Sequence, residues 1–138
     1  MSFFPTREGA VLPTRGTSKS AGVDVFAFEE VLIEAGKFSL ISTGVGINFP
    51  DGTYGSIRAR SGLAVRHGLF VNAGVIDPDY TGEIKVCLHN AGESDFVVRR
   101  GMKIAQIVYE KYDSTSPSWS EGPAESTGRG GSGFGSTG

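Results

Sequence analysis

The residues best suited to chemistry fall in three local clusters along the chain. The first cluster, residues 59–64, contains Arg60, Ser61 and Gly62 in succession. A guanidinium, a hydroxyl and backbone N–H groups at one turn can together bind phosphate oxygens. An ordinary junction between a strand and a turn would have the same composition, so this cluster alone leaves both interpretations open.

The second cluster, residues 74–83, places two acids on either side of a proline, as Asp77-Pro78-Asp79, and Tyr80 follows directly. One of these carboxylates could activate a water molecule or hold a metal ion. A solvated Asp-Pro-Asp turn is the alternative interpretation.

The third cluster is residues 129–138, RGGSGFGSTG, at the end of a segment rich in Ser, Gly, Thr and Pro that begins at residue 113. A cation, hydroxyls and glycine N–H groups resemble an anion nest, and Phe134 could stack on a base. This composition buries too little apolar surface to offset its ordering entropy. We expect residues 113–138 to form a flexible arm that orders on a phosphorylated ligand; a disordered tail is the alternative.

The elements that must position these clusters are short strands. Before residue 112 the apolar residues alternate with a period of two, as in residues 22–28 and 83–88. Gly- and Pro-containing turns separate the segments, and the nearest approach to a helix is one turn at residues 61–65. We predict an all-β fold for residues 1–112, an antiparallel jelly-roll-like distorted barrel. The predicted strands span residues 22–28, 38–49, 53–60, 83–88, 95–99 and 103–112.

Length and composition exclude several classes of protein. A chain of 138 residues indicates one domain, and a net charge of −2 argues against a nucleic-acid binder. No apolar run is long enough for a membrane helix, and no signal-peptide core is present; we expect an intracellular protein, cytoplasmic or nuclear, that is not secreted. The single cysteine, Cys87, excludes an intrachain disulfide and a multi-cysteine zinc site. His67 and His89 are predicted to be ordinary strand residues, since neither has a metal-ligand partner at suitable spacing.

Taken together and in order, the clusters resemble the motifs of the homotrimeric dUTPase family (deoxyuridine triphosphate nucleotidohydrolases). The five matching stretches are residues 21–25, 60–64, 74–83, 101–106 and the glycine-rich terminus from residue 129. The resemblance implies a jelly-roll-like subunit and a homotrimer whose sites are shared between subunits. It also implies Mg²⁺-dependent hydrolysis of dUTP to dUMP and pyrophosphate, which keeps uracil out of DNA and supplies dUMP for dTTP synthesis.

The resemblance also assigns roles to individual residues. Asp77 is similar to the general base that activates the attacking water, and Tyr80 to the ring that packs against deoxyribose. Asp24 resembles the acid that holds a metal-bound water. Residues 72–76 resemble a hairpin that reads uracil, largely through main-chain groups, and Phe134 would cover the base. The residues implied in substrate binding, besides Tyr80, are Arg60, Ser61, Gly62, Asn72, Gly74, Val75, Ile76, Lys85, Gln106, Arg129, Phe134, Gly135, Ser136 and Thr137.

Four residues depart from the family pattern. Ala59 replaces the usual proline and Ser132 a frequent glycine, whereas Met102 and Lys103 replace an Asp-Arg pair. The last departure puts a structural ion pair or turn contact in doubt. Two alternatives to a dUTPase remain: a dCTP deaminase of the same fold, which would need a catalytic glutamate, and a binding module that acts through partners.

Overall fold

A computed structural model describes residues 1–136 and 138 of the chain. Of the described elements, no helix has the length and apolarity to cross a membrane. The described part is built from β-strands and one short helix. In chain order they are β1 Ser2–Pro5, β2 Thr14–Arg15, β3 Gly22–Phe26, β4 Val31–Ile33, β5 Phe38–Ser42, β6 Val45–Asn48, β7 Thr53–Arg58, α1 Ser61–His67, β8 Leu69–Asn72, β9 Val75–Ile76, β10 Lys85–Asn90, β11 Phe96–Val98 and β12 Lys103–Lys111.

The strands pair antiparallel in four sheets. The largest has the order β2-β3-β12-β7-β9 and the next β5-β10-β8, while β1 pairs with β6 and β11 with β4. The prediction of an all-β antiparallel fold is therefore confirmed. The distorted barrel is not, because none of the sheets formed by the described residues closes on itself.

One reason for the separate sheets lies in the predicted strand 38–49, which the structure divides in two. The chain leaves β5 at Thr43 and turns at Gly44, whose φ is 74°. The Thr43 hydroxyl donates to the Ile84 carbonyl at 2.6 Å, and the Gly44 N–H donates to Glu83 Oε1 at 2.8 Å. These bonds direct the chain from β5, which pairs with β10, into β6, which pairs with β1.

The core is formed by the inward faces of these sheets. The alternation in residues 83–88 is confirmed, since Ile84, Val86 and Leu88 are each at most 1% exposed while Lys85 faces solvent. The buried apolar residues of the core cluster are Val25, Ala27, Ile33, Ile41, Ile47, Ile57, Leu69, Ile76, Ile84, Val86, Leu88, Val98, Ile104, Ala105 and Ile107. Burial of one face of each strand stabilises the sheets that position the functional side chains.

The helix is longer than the single turn predicted for residues 61–65. It ends at Gly68, which has a φ of 68° and whose N–H bonds to the Ala64 and Leu63 carbonyls. A left-handed residue at this position commonly terminates a helix and favours glycine. His67 lies at the end of this helix, so its placement in a strand was wrong, whereas His89 lies in β10 as predicted.

Residues 113–136 contain turns and bends but no strand or helix. These residues are exposed, apart from Gly133, which is half-buried. Both aromatic residues of the segment, Trp119 and Phe134, are fully exposed. Arg129 makes a local contact, donating from Nε to the Ser132 carbonyl at 2.8 Å. We call residues 113–138 the arm.

Candidate active site

A tight turn between β8 and β9 forms one wall of a pocket. The two strands lie in different sheets, since β8 pairs with β10 and β9 with β7, so the predicted hairpin of residues 72–76 is a connection between sheets, and we keep the name hairpin for this turn. Ala73 and Gly74 reverse the chain with φ values of 60° and 123°. The Gly74 carbonyl accepts a hydrogen bond from Ile57 N at 2.7 Å, which fastens the hairpin to β7. A Cβ at position 74 would lie 2.7 Å from the Ile57 carbonyl oxygen, so only glycine fits this close approach.

The hairpin and the segment after it enclose a pocket of about 320 Å³, which we call the hairpin pocket. Asp77 and Tyr80 line it together, and a turn in which Tyr80 N donates to the Asp77 carbonyl at 3.0 Å fixes their spacing. The Tyr80 hydroxyl donates to the Glu83 carbonyl at 2.7 Å, which holds the ring at the pocket wall. The pocket is lined by Leu40, Ile57, Asn72, Ala73, Gly74, Val75, Ile76, Asp77, Tyr80, Glu83, Ile84, Lys85 and Cys87.

The two acids of the pocket have different surroundings. Asp77 is exposed and follows the buried Ile76, so its carboxylate can meet water and accept a proton. The Glu83 side chain is only 13% exposed and is bonded to Gly44 N and paired with Arg7, with 3.2 Å between Arg7 Nε and Glu83 Oε1. Asp77 is therefore the pocket acid whose carboxylate is available for chemistry.

A second, polar cavity of about 410 Å³ lies beside α1, and we call it the polar cleft. Asp24 lies at its base with a side chain that is 15% exposed. Its Oδ1 is 3.2 Å from Arg60 Nε, and its Oδ2 is 3.3 Å from Lys103 Nζ. Lys103, one of the two residues at the Asp-Arg departure, thus forms an ion pair with Asp24, and Asp24 also holds Arg60 at the cleft.

Gln106 lies next to Asp24 in the paired strands β12 and β3. Its amide Nε2 donates to the Ala59 carbonyl at 3.0 Å, and its Oε1 packs so closely on Gly22 that a side chain there would collide with it. Gly22, in the first family-like stretch, is therefore required by the position of Gln106. The cleft is lined by Gly16, Ser20, Gly22, Asp24, Arg60, Ser61, Gly62, Arg66 and Gln106.

The start of α1 brings phosphate-binding chemistry to the polar cleft. Arg60 is the N-cap residue, and no side chain caps the helix. The first N–H groups of a helix have no helical acceptor, so those at Ser61 and Gly62 can bind an anion. With the Arg60 guanidinium and the Ser61 hydroxyl they form a cationic, donor-rich edge suited to phosphate oxygens.

The structure brings the predicted residues together in two groups rather than one. Asn72, Gly74, Val75, Ile76, Asp77, Tyr80 and Lys85 line the hairpin pocket, whereas Asp24, Arg60, Ser61, Gly62 and Gln106 line the polar cleft. Within the described part of the chain, the two cavities have no lining residue in common. Arg129, Phe134, Gly135 and Ser136 lie in the exposed arm, and Thr137 lies outside the described residues.

Several lining residues were not predicted from the sequence. Glu83 lies inside the family-like stretch 74–83 and Ser20 directly precedes the stretch 21–25, and these positions could have suggested them. Leu40 and Cys87 come from β5 and β10, strands that reach the hairpin pocket only through tertiary pairing, and no local signal marks them.

The donor set for a metal ion is sparse. Within the described residues, no group of three or more His, Cys, Asp or Glu side chains is placed to hold a metal. Both carboxylate oxygens of Asp24 are already paired with a cation, which suits a contact to a metal through water better than direct ligation. These residues fit Mg²⁺, which commonly keeps its waters and binds chiefly through substrate phosphates.

Comparison with known proteins identifies the family. The dUTPase family model matches residues 8–138. The chain is 47% identical to the deoxyuridine 5′-triphosphate nucleotidohydrolase of the yeast Debaryomyces hansenii, with 98% of this chain and 85% of that protein covered. It is 44% identical to the protein of the same name from Paramecium bursaria Chlorella virus 1, with 95% of this chain and 92% of that protein covered. The Rickettsia felis protein of that name is 48% identical, with 92% of this chain and 88% of that protein covered.

Solved structures support the same fold. A dUTPase of Staphylococcus bacteriophage 80alpha with dUpNHpp superposes with a TM-score of 0.91 at 24% identity, covering 99% of this chain and 97% of that one. A variant dUTPase of S. aureus phage phi11, described as coordinating a structural Mg(II) ion, superposes with a TM-score of 0.82 at 22% identity. The match covers 90% of this chain and 98% of that one. These neighbours have a jelly-roll-like β fold, which confirms that part of the predicted architecture. The chain belongs to the dUTPase family.

Proposed function

We propose that this protein is a dUTP diphosphatase that hydrolyses dUTP to dUMP and pyrophosphate inside the cell. Family membership supports this activity. The observation that carries it is the hairpin pocket, where the exposed Asp77 carboxylate, the anchored Tyr80 ring and the hairpin of residues 72–76 line one cavity. A nucleotide hydrolase needs groups that recognise the base and pack on the sugar, and it needs an acceptor for the proton of the attacking water. The hairpin, the Tyr80 ring and the Asp77 carboxylate can supply these.

Asp77 acts as the general base in this proposal. Its carboxylate takes a proton from a water molecule, whose oxygen attacks the α-phosphorus of dUTP. The bond from that phosphorus to the bridging oxygen breaks, and pyrophosphate leaves. Assistance from a positioned base is worth about 10²–10⁴-fold in rate, and the exposure of Asp77 leaves room for the water.

The polar cleft supplies the phosphate contacts. Arg60, the Ser61 hydroxyl and the Gly62 N–H would bind phosphate oxygens, with Gln106 beside them, and Asp24 keeps Arg60 in place. Arg129, Ser136 and Thr137 of the arm would clamp the terminal phosphates, while Phe134 and Gly135 cover the base. Arginine suits this role because its planar fork matches phosphate geometry.

The site is completed between subunits of a homotrimer. The hairpin pocket and the polar cleft share no lining residue among those that the structure describes, and the described part of the arm is exposed except at Gly133. A ring of three copies lets the cleft of one subunit face the pocket of another while an arm covers both. This arrangement accounts for an arm whose composition needs another surface on which to order.

Mg²⁺ is the proposed cofactor. It would arrive with the triphosphate, and Asp24 would contact it through water. When bound, the ion neutralises phosphate charge and favours departure of pyrophosphate. The protein groups position the substrate and move the proton.

The surroundings of Glu83 weigh against the deaminase alternative. A deaminase needs a glutamate free to exchange protons with substrate. Glu83 is the glutamate that lines the hairpin pocket, and its carboxylate is held by Gly44 N and Arg7. Among the described residues the Asp77 carboxylate has no hydrogen-bond or ion-pair partner of this kind, which suits hydrolysis.

The test is a product assay with dUTP, dCTP, dTTP and UTP, each with and without Mg²⁺. We expect pyrophosphate and nucleoside monophosphate from dUTP alone, with dependence on Mg²⁺. In ¹⁸O-labelled water the label should enter dUMP and not pyrophosphate, because the attack is on the α-phosphorus. Ammonia release from dCTP, or no product from dUTP, would contradict the proposal.

A further inference from the structure

His89 contacts a residue of the hairpin pocket without lining the pocket itself. It lies in β10 and Asn72 at the end of β8, on the same face of the paired strands. The Asn72 amide nitrogen Nδ2 is 3.2 Å from His89 Nδ1. Asn72 lines the hairpin pocket, so this contact links His89 to the pocket.

The His89 ring is held in place by its other neighbours. It stacks on Phe70, with ring centroids 4.7 Å apart and planes 18° from parallel. Phe70 is the cross-strand partner of His89 in β8, two residues before Asn72. Stacking and strand pairing together fix the direction of Nδ1.

The chemistry of this contact fixes both partners. Because an amide NH₂ only donates, this contact is a hydrogen bond when Nδ1 accepts and the ring proton is on Nε2. Holding the NH₂ group at His89 also fixes the amide oxygen on the opposite side. The hydrogen-bonding pattern that Asn72 offers to the pocket is then a single one.

We propose that His89 is a positioning residue that locks the Asn72 amide in one orientation and thereby sharpens the choice between uracil and cytosine. This inference rests on the proposed function, in which residues 72–76 read the base. At N3, uracil has an N–H donor where cytosine has an unprotonated nitrogen, an acceptor. A freely rotating amide can satisfy either by a half-turn, whereas an amide whose NH₂ is held by His89 leaves only its oxygen for the base, and that oxygen can accept from uracil N3–H but makes no hydrogen bond with cytosine N3.

The kinetic test uses His89→Phe, which keeps an aromatic ring on Phe70 but removes the acceptor. We expect the ratio of dissociation constants for dCMP and dUMP to fall about tenfold, as for the loss of one hydrogen bond's discrimination. The KM for dUTP should rise while kcat is retained. The matched control is His67→Phe, at the end of α1 and outside both cavities, which should change neither quantity.

A double-mutant cycle separates positioning from a general structural effect. In an Asn72→Ala background, His89→Phe should cause no further change in the dCMP:dUMP ratio, because the amide through which it acts is gone. An unchanged ratio in the single His89→Phe variant would overturn the proposal. The same fall with and without Asn72 would also overturn it.

A spectroscopic test needs no substrate and no variant. The ¹⁵N chemical shifts of the His89 imidazole in mildly alkaline buffer should report the tautomer with its proton on Nε2. A proton found on Nδ1 would contradict the proposal even in a fully active enzyme. Conversely, a wild-type protein that does not hydrolyse dUTP would refute the proposed function while leaving this measurement interpretable.

Discussion

Asp77 and Asp79 are two residues apart, but only Asp77 lines the hairpin pocket. Asp77→Asn keeps the shape of the side chain and removes its basicity. We expect binding of dUTP to persist while kcat falls by at least about 10²-fold, the lower range for a lost general base. Steady-state pyrophosphate release measures this effect. Asp79→Asn is the control and should retain activity. Near-normal turnover of Asp77→Asn would exclude Asp77 as the general base.

Tyr80 determines the choice of sugar in the proposed site. Its ring lines the hairpin pocket, and its hydroxyl is fixed to the Glu83 carbonyl. A ring packed on deoxyribose leaves a 2′-hydroxyl without a hydrogen-bond partner, so UTP should be a far poorer substrate than dUTP. Tyr80→Ala should narrow this gap, whereas Tyr80→Phe, which keeps the ring, should largely preserve it.

The comparison of kcat/KM for dUTP and UTP in the three proteins decides the role of Tyr80. An unchanged dUTP:UTP preference in Tyr80→Ala would show that another residue rejects the 2′-hydroxyl.

At the residue scale, the sequence was informative where chemistry is local. Asp77 and Tyr80 are separated by one turn, so their presence in one pocket could be predicted from a short motif. The Lys103–Asp24 pair could not, because it joins two strands far apart in the chain. The same holds for His89 and Asn72, whose contact depends on the register of β10 with β8.

Among the elements, the hairpin of residues 72–76 depends on Gly74. Gly74→Ala would place a Cβ at a φ of 123° and against the Ile57 carbonyl. We expect a loss of about 2 kcal/mol or more in the free energy of unfolding, together with loss of the hairpin pocket. Urea denaturation at matched protein concentration, combined with dUTP turnover, measures both effects.

Gly36→Ala is the matched control for Gly74. Gly36 has a φ of 78°, but among the described residues no atom lies within 4 Å of the place that its Cβ would take. This variant therefore isolates the backbone strain from the collision. A Gly74→Ala variant as stable as Gly36→Ala would mean that the hairpin does not require the close approach.

Strand β12 contains a pH-sensitive group at Tyr109. Burial raises the pKa of Tyr109 to about 12, from an ordinary value of 10.0. Its hydroxyl has no hydrogen-bond partner among the described residues, and its ring packs edge-on against Phe49 at 6.0 Å. Ionisation is therefore easier in the unfolded chain than in the folded one.

The sign of the pH effect follows from that difference. Below pH 10 both states keep the proton, and the contribution of Tyr109 to stability is intact. As the pH rises from about 10 towards about 12, the unfolded chain ionises first, so stability falls. Tyr109→Phe, which keeps the ring, should lose less stability over this range in thermal unfolding. Equal losses in both proteins would contradict burial of the hydroxyl.

At the scale of elements, the alternating pattern predicted six strands, and the structure has twelve within its described part. The unpredicted β2 and β9 have two residues each, too few to establish a period. The predicted strand 38–49 was divided because Gly44 and Glu83 form a contact across distant segments. Tertiary hydrogen bonds thus set strand limits that local alternation could not.

At the scale of the whole molecule, a single chain presents the parts of the proposed nucleotide site without assembling them. The residues proposed to bind base and sugar line the hairpin pocket, those proposed to bind phosphate line the polar cleft, and the described part of the arm is largely exposed. The all-β class could be predicted from alternation and turns. The separation of the two cavities could not be predicted from the sequence, because it depends on how the four sheets pack against one another.

The central claim is that one dUTP site is assembled from different chains, and two inactive proteins test it directly. Asp77→Asn lacks the base, and a truncation ending at Gly128 lacks Arg129 and Phe134. Random 1:1 assembly gives about one site in four with an intact Asp77 from one chain and an intact arm from another. After co-refolding and confirmation of mixed trimers by mass, we expect dUTP hydrolysis near a quarter of the wild-type rate. No recovery of activity from verified mixed trimers would contradict the shared site.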